Sequence, residues 1–166
     1  MASIYVDGSQ SESTAAIGIH CVLEGGDYIE ISENIGDYTS THAEMVAIFR
    51  GLELAILIGG NVTLYTEMTG MIDREGGRSR SPILTKIRAI RRAHPEIELK
   101  YVKAHSGDLH NSRADKLAYA GLTMNQVVDF ESYKKVFKGY DGIVVVGLKK
   151  LHKYYSHAMF RRMFLG

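Results

Sequence analysis

The sequence predicts an α/β fold: a five-stranded mixed sheet whose first three strands are antiparallel, with helices on both faces. Three observations carry this. Three short apolar or alternating runs joined by turn residues fill the first 33 positions, as in an antiparallel meander. A long helical pattern then separates them from a fourth apolar run, and a helical crossover brings parallel strands together. A further helical stretch precedes a fifth run, so the order is three strands, helix, strand, helices, strand, helix. At 166 residues, with 45% hydrophobic and 23% charged side chains, the chain is long enough for one domain with a real core.

The first strand is Ser3-Ile4-Tyr5-Val6-Asp7-Gly8-Ser9. An apolar run passes straight into a carboxylate, which is costly to bury without a metal ion or other cation beside it. Asp7 alone reads more readily as a turn former at a strand end, but Glu44, Glu67 and Asp115 recur in similar settings. After the polar stretch Gln10 to Ser13, Ala15 to Leu23 reads as a second strand, and Gly25-Gly26-Asp27 marks a turn. Tyr28 to Glu33 alternates apolar and polar, which predicts a third strand with one wet face.

The first helix follows. Ser40 or Thr41 is a candidate N-cap, and with Thr41 as cap Glu44 completes a capping box. Met45, Ile48, Phe49, Leu52, Ala55 and Ile56 form its predicted buried stripe, and Gly59-Gly60-Asn61 stops it. Val62 to Thr66 is the fourth strand, with Glu67 at its exit. Met68 to Glu75 reads as a short helix, and Gly76 to Pro82 as a basic loop with Pro82 starting the next helix. That helix turns Ile83, Ile87 and Ile90 inward and ends at His94-Pro95. Ile97 to Val102 is the fifth strand, Lys103 to His110 a loop, and Asn111 to Ala120 a helix with Leu117 and Ala118 inward.

The composition shifts beyond Leu122, which divides the chain into a 1–122 domain and a 123–166 extension. Between Phe130 and Gly166 eight Lys and Arg face two acids, an excess of six positive charges in a chain of net charge +1. Val144, Leu148, Leu151, Tyr155, Met159 and Met163 fall on one helical face, so the extension reads as a basic amphipathic helix. It can pack on the domain, meet phosphates, or lie on a membrane surface. Cys21 is the only cysteine, which excludes an intramolecular disulfide and a cysteine-based zinc site. No apolar stretch approaches the ~20 residues of a membrane span, and no secretory signal is visible. A cytoplasmic monomer with no membrane or disulfide partner is the expectation.

Asp7 and Glu67 end neighbouring strands, Glu44 starts the crossover helix and Asp115 lies on the late helix. Clustered carboxylates repel unless cations screen them, and hard oxygen ligands suit magnesium or manganese. The chain resembles a type 1 ribonuclease H over residues 3 to about 122. The matching pieces are Tyr5-Val6-Asp7-Gly8-Ser9, Ala43-Glu44-Met45-Val46-Ala47, Leu64-Tyr65-Thr66-Glu67, Val102-Lys103-Ala104-His105-Ser106-Gly107, and Asn111-Ser112-Arg113-Ala114-Asp115-Lys116-Leu117-Ala118. Each piece alone is a weak signal, the last two together are much more specific, and all five in this order leave little room for chance.

The resemblance implies a ribonuclease H-like fold and hydrolysis of the RNA strand of RNA–DNA hybrids by two magnesium ions, with manganese able to substitute. It implies that Asp7 bridges both ions, that Asp115 completes one site, and that Glu44 and Glu67 complete the other. His105 would assist proton transfer and product departure. Gly8, Ser9, Ser40, Thr41 and Asn111 fall where relatives meet substrate, although helix capping is the simpler role for Asn111. Departures bear on each point. Thr66-Glu67-Met68 stands where the family usually has Thr-Asp-Ser, so the third carboxylate is one methylene longer; Asp73 is a possible substitute. Gln10-Ser11-Glu12-Ser13-Thr14 replaces a glycine- and asparagine-rich stretch, and Ser40-Thr41-His42 replaces asparagines. Three alternatives stay open: a weakened or inactive nucleic-acid-binding module, a related DNA nuclease or resolvase, and a protein-interaction domain whose basic tail docks a replication partner.

Overall fold

The sheet is built around the first strand, which is paired on both sides. A computed structural model describes residues 1–24, 28–68, 81–103, 107–122 and 143–145. Strands β1 (Ala2–Ser11), β2 (Thr14–Val22) and β3 (Tyr28–Gly36) form the expected antiparallel meander. Helix α1 (Ser40–Ile58) crosses to β4 (Val62–Thr66), which lies parallel to β1. Helix α2 (Pro82–Ala93) leads to β5 (Ile97–Tyr101), parallel to β4, and α3 (Leu109–Leu122) follows. These five strands lie in the order β3-β2-β1-β4-β5.

A sixth strand, β6 (Ile143–Val145), runs parallel to β3 at its outer edge. Val144 is therefore in a strand and not on the amphipathic helix that apolar spacing predicted. Ile143-Val144-Val145 is a β-branched run, and such residues favour extended backbone over helix. The remainder of the expected tail helix lies outside the described residues, as do the expected short helix after Met68 and the basic loop before Ser81.

Alternation along the strands divides the sheet into two unlike faces. Ile4 and Val6 of β1, Ile17 and Ile19 of β2, and Leu64 of β4 enter an apolar core with Met45, Ile48 and Leu52 of α1 and Leu84 and Ile87 of α2. Cys21 is buried in the same core and is free, as expected. The opposite face meets α3, whose His110 ring stacks against Tyr5 and His20. Gly18 allows that approach: a Cβ there would stand 2.2 Å from the Ala114 carbonyl oxygen and 2.3 Å from the Ala118 nitrogen.

Local corrections have physical reasons. Thr39, not Ser40 or Thr41, is the N-cap of α1, its Oγ1 accepting from the His42 N–H at 3.1 Å. The expected capping box is not formed, because Glu44 is drawn to β1 instead. Ile56 is 39% exposed, while Gly51 and Leu54 are buried in its place. The first and third strands are longer than expected, reaching Ser11 and Gly36, and the second keeps its length but lies one residue earlier, at Thr14–Val22, with Glu12 at φ +46° in the tight connection. The face of β3 predicted to be wet is dry: Glu30 and Ser32 are fully buried beneath α3. Among the described residues, no helix is long and apolar enough to cross a membrane.

Candidate active site

The parallel register of β1 and β4 places the first two carboxylates level. Tyr5 pairs with Tyr65 and their rings stack at 4.6 Å, so two residues further on Asp7 and Glu67 stand side by side on the same face. Gly8 then lets the start of α1 close onto the strand. A Cβ at Gly8 would meet the Ala43 carbonyl carbon and the Glu44 nitrogen at 2.5 Å each. With that gap closed, the Gly8 N–H donates to Glu44 Oε1 at 3.0 Å.

The fourth carboxylate comes from α3, whose first turn is fastened by Asp108. Its Oδ1 accepts from the backbone N–H groups of His110 and Asn111. Asp108 thus takes the capping role that the sequence suggested for Asn111, and Asn111 is free for another: its Nδ2 donates to Glu67 Oε1 at 2.7 Å. One turn later on the same stripe, Asp115 reaches the Asp7 carboxyl while remaining exposed on its outer side.

The electrostatics follow from that crowding. Asp7 is 4% exposed, and its carboxyl is pushed up to about 10. Burial is the largest cause; the Glu44 charge, carboxyl contacts with Glu44 and Asp115, and the Glu67 charge add to it. Burial also raises Glu44, reinforced by Glu67 and Asp115, although its contacts with Asp7 and the Gly8 N–H act in the opposite direction. Among the described residues, Glu44 Oε2 and Asn111 Oδ1 are buried without a hydrogen-bond partner.

This donor set fits a divalent cation. It is all oxygen, it is too negative to remain fully ionised without one, and Glu44 Oε2 is an unused ligand atom inside it. Among the described residues no three acidic, histidine or cysteine side chains are gathered tightly enough to hold an ion as they stand.

The remaining candidates are less centrally placed. Gly8 and Ser9 continue β1 past Asp7. Ser40 and Thr41 are exposed on the first turn of α1, where the Ser40 N–H donates to Gln10 Oε1 at 3.1 Å. His105 and Asp73 lie outside the described residues.

One group escaped the sequence reading entirely. Beneath α3, Glu30 accepts from Arg113 Nε at 2.6 Å and Nη2 at 3.0 Å, and His20 Nδ1 lies 3.1 Å from Glu30 Oε2. Burial pushes the Glu30 carboxyl up, but hydrogen bonds from His20 and Arg113, with the Arg113 charge, outweigh it and leave the group below the ordinary range. Glu30 therefore accepts only, and His20 Nδ1 carries the proton. His20 Nε2 in turn lies 3.0 Å from His110 Nδ1. The available signal was a His and a Glu on paired strands, each flanked by apolar neighbours.

A profile of the RNase H family matches residues 1–123. The Ribonuclease H of Maricaulis maris (strain MCS10) is 30% identical over 138 residues, covering 72% of this chain and 92% of that protein. Among solved structures, the prototype foamy virus protease-reverse transcriptase superimposes with a TM-score of 0.65 at 23% identity, covering 75% of this chain and 21% of that one. LC11-RNase H1 in complex with an RNA/DNA hybrid gives 0.60 at 24% identity, covering 74% of this chain and 96% of that one. The two structural likenesses are likenesses of fold.

Proposed function

The chain belongs to the RNase H family, and from that premise we propose that it is an endonuclease hydrolysing the RNA strand of RNA–DNA hybrids, leaving 5′-phosphate and 3′-hydroxyl ends. The observation that carries the reading is the Asp7 carboxyl, buried midway along β1 and pressed on by Glu44, Asp115 and Glu67. Burying carboxylates together costs stability, and a cation-dependent reaction explains why they gather here. The hybrid bound to LC11-RNase H1 supports the choice of substrate.

In this reading Asp7, Glu44, Glu67 and Asp115 would hold two divalent ions, magnesium or manganese. Such a pair stabilises the attacking and leaving oxygens of a phosphodiester displacement. The protein contributes placement. The Gly8 N–H fixes one oxygen of Glu44 and leaves the other for the site. The Asn111 amide holds the longer Glu67 side chain by one oxygen, which compensates for the extra methylene. Asp115, exposed on its outer side, completes the cluster from the solvent side. Gly8 and Ser9, with the hydroxyls of Ser40 and Thr41, would meet the RNA strand, since hydroxyls both donate and accept toward a 2′-hydroxyl. His105 keeps the proton-transfer role that the resemblance implies.

The test is cleavage of an end-labelled hybrid in magnesium, in manganese and in chelator, with RNA duplex and DNA duplex as controls. The expected result is metal-dependent cutting of the RNA strand of the hybrid only, lost in Asp115→Asn. Retention of the hybrid without cutting in either metal identifies a binding module instead, and cutting of duplex DNA identifies a resolvase-like nuclease.

A further inference from the structure

We propose that the inward polar row of β3, led by Glu30, positions α3 and so sets where Asn111 and Asp115 stand relative to Asp7 and Glu67. The proposal rests on the reading of those carboxylates as the reaction site. Three residues of β3 each hold one turn of the helix. Glu30 takes the Arg113 guanidinium through both oxygens. Ser32 Oγ donates to the Leu117 carbonyl at 2.7 Å. Asn34 Nδ2 donates to the Gly121 carbonyl at 3.1 Å.

The spacing explains why three rungs fit. Two residues of strand advance about 6.6 Å, and four residues of helix about 6.0 Å. Steps 30, 32, 34 on β3 therefore keep pace with steps 113, 117, 121 on α3. The first rung is the stiffest. Glu30 and His20 are fully buried on a central part of the sheet, the arginine pairs as a planar fork, and His20 ties the same carboxylate to His110 one turn before Arg113.

The rungs supply what packing does not. The helix rests on the sheet through Gly18 and Gly121, where a Cβ would clash at 2.2 Å and 2.7 Å. Small residues fix its height, and the buried Leu117 side chain and the stacked His110 ring resist rolling without the direction of a hydrogen bond. Asn111 and Asp115 occupy the stripe next to His110, Arg113 and Leu117, so they move with any roll. At a side-chain radius of about 6 Å, a roll of ~15° carries the Asp115 carboxylate about 1.5 Å. Magnesium demands ligands at about 2.0–2.1 Å, so that displacement matters. Glu30, His20 and Arg113 touch neither substrate nor reacting atoms and are positioning residues.

The experiment compares wild type with Glu30→Gln, Arg113→Lys and Arg113→Met. It reads kcat and KM on the hybrid across a magnesium titration, manganese binding by calorimetry without substrate, and the thermal melt. The expected result is a fall of about 10- to 100-fold in manganese affinity or kcat for Glu30→Gln and Arg113→Met, as when groups that orient metal ligands are removed. KM for hybrid should stay within about twofold of wild type, and Arg113→Lys, which keeps the charge but not the fork, should fall between. Folded variants with wild-type manganese affinity and kcat overturn the proposal. Should the charged variants fail to fold, the Ser32→Ala/Asn34→Ala double variant removes the two neutral rungs, and unchanged manganese affinity there overturns it equally. A wild type that binds manganese but cuts no hybrid sinks the functional reading alone, because the difference in manganese affinity between wild type and variants still decides the positioning claim. A wild type that binds none sinks both.

Discussion

Gly8→Ala is the sharpest test of how the site is assembled. The added Cβ would stand 2.5 Å from both the Ala43 carbonyl carbon and the Glu44 nitrogen, where ordinary contact begins at 3.4 Å. Both are backbone atoms, so no side chain can swing aside. The start of α1 must move off β1 by about the difference, roughly 0.9 Å, and the 3.0 Å bond from the Gly8 N–H to Glu44 Oε1 lengthens beyond useful range. Overpacking of this kind costs about 1–3 kcal/mol. For a chain of this size that is a melting temperature lowered by about 2–4 °C per kcal/mol. Activity should suffer more than stability, because an ångström of misplacement at a reacting centre can cost about a hundredfold. Steady-state cleavage of labelled hybrid and a thermal melt measure the two effects. A variant with wild-type kcat and an unchanged melt would refute the idea that close packing at Gly8 places Glu44.

Further outcomes follow from the same geometry. Asp7→Asn removes a buried, crowded carboxyl, so in chelator it should melt above wild type while cutting nothing; a lower melt would mean that the acids do not repel. Glu67→Asp shortens the side chain away from Asn111 Nδ2, so magnesium-dependent activity should drop several-fold; a rise would mean that the extra methylene is a defect. Glu30 has a folded-state pKa below its ordinary 4.5, so the unfolded chain binds the extra proton. Its contribution is present above pH ~4.5 and is lost as pH falls through the folded value. Wild type should thus lose more stability on acidification than Glu30→Gln, and melts that fall in parallel would argue against the ion pair. Deleting residues 130–166 removes six net positive charges, so hybrid affinity should fall and its salt dependence flatten; an unchanged slope would show that the tail meets no phosphate.

The parts of this molecule that the sequence made legible are those where one physical signal had one meaning. An apolar run into an acid marked the exit of β4 and the carboxylate of β1, although β1 runs on past Asp7 to Ser11, and the crossover implied their parallel pairing, so the meeting of Asp7 with Glu67 could be anticipated. Ambiguity entered where neighbouring residues compete for one role. Thr39, Ser40 and Thr41 are equivalent as caps on paper, and Asp108 lies three residues before Asn111 with the better acceptor. The heaviest loss was Glu30, Ser32 and Asn34. Alternation of apolar and polar residues is the same whether the polar face meets water or a helix, and only the return of α3 decides between them.

That ambiguity has a physical counterpart in the two faces of the sheet. The face toward α1 and α2 is held by apolar burial, which is strong but has no direction. It can hold a helix near a strand without fixing its angle to within a fraction of an ångström. The face toward α3 carries Asp7 and Glu67 at its rim and polar residues across its middle, and hydrogen bonds and ion pairs do have direction. Glu44, which arrives from the apolar side, is the exception that supports the point. It is placed by a backbone contact at Gly8 and a single hydrogen bond, again directional contacts at the sheet's edge. A site that needs several carboxylates in fixed relation should therefore be bordered by buried polar contacts. Replacing Glu30, His20 and Arg113 together with apolar residues of similar volume should leave a folded protein, and its manganese affinity should fall as far as in Glu30→Gln. A triple variant that binds manganese like wild type would show that burial alone can aim Asp115, and would leave the polar interior of this face without a part in placing the carboxylates.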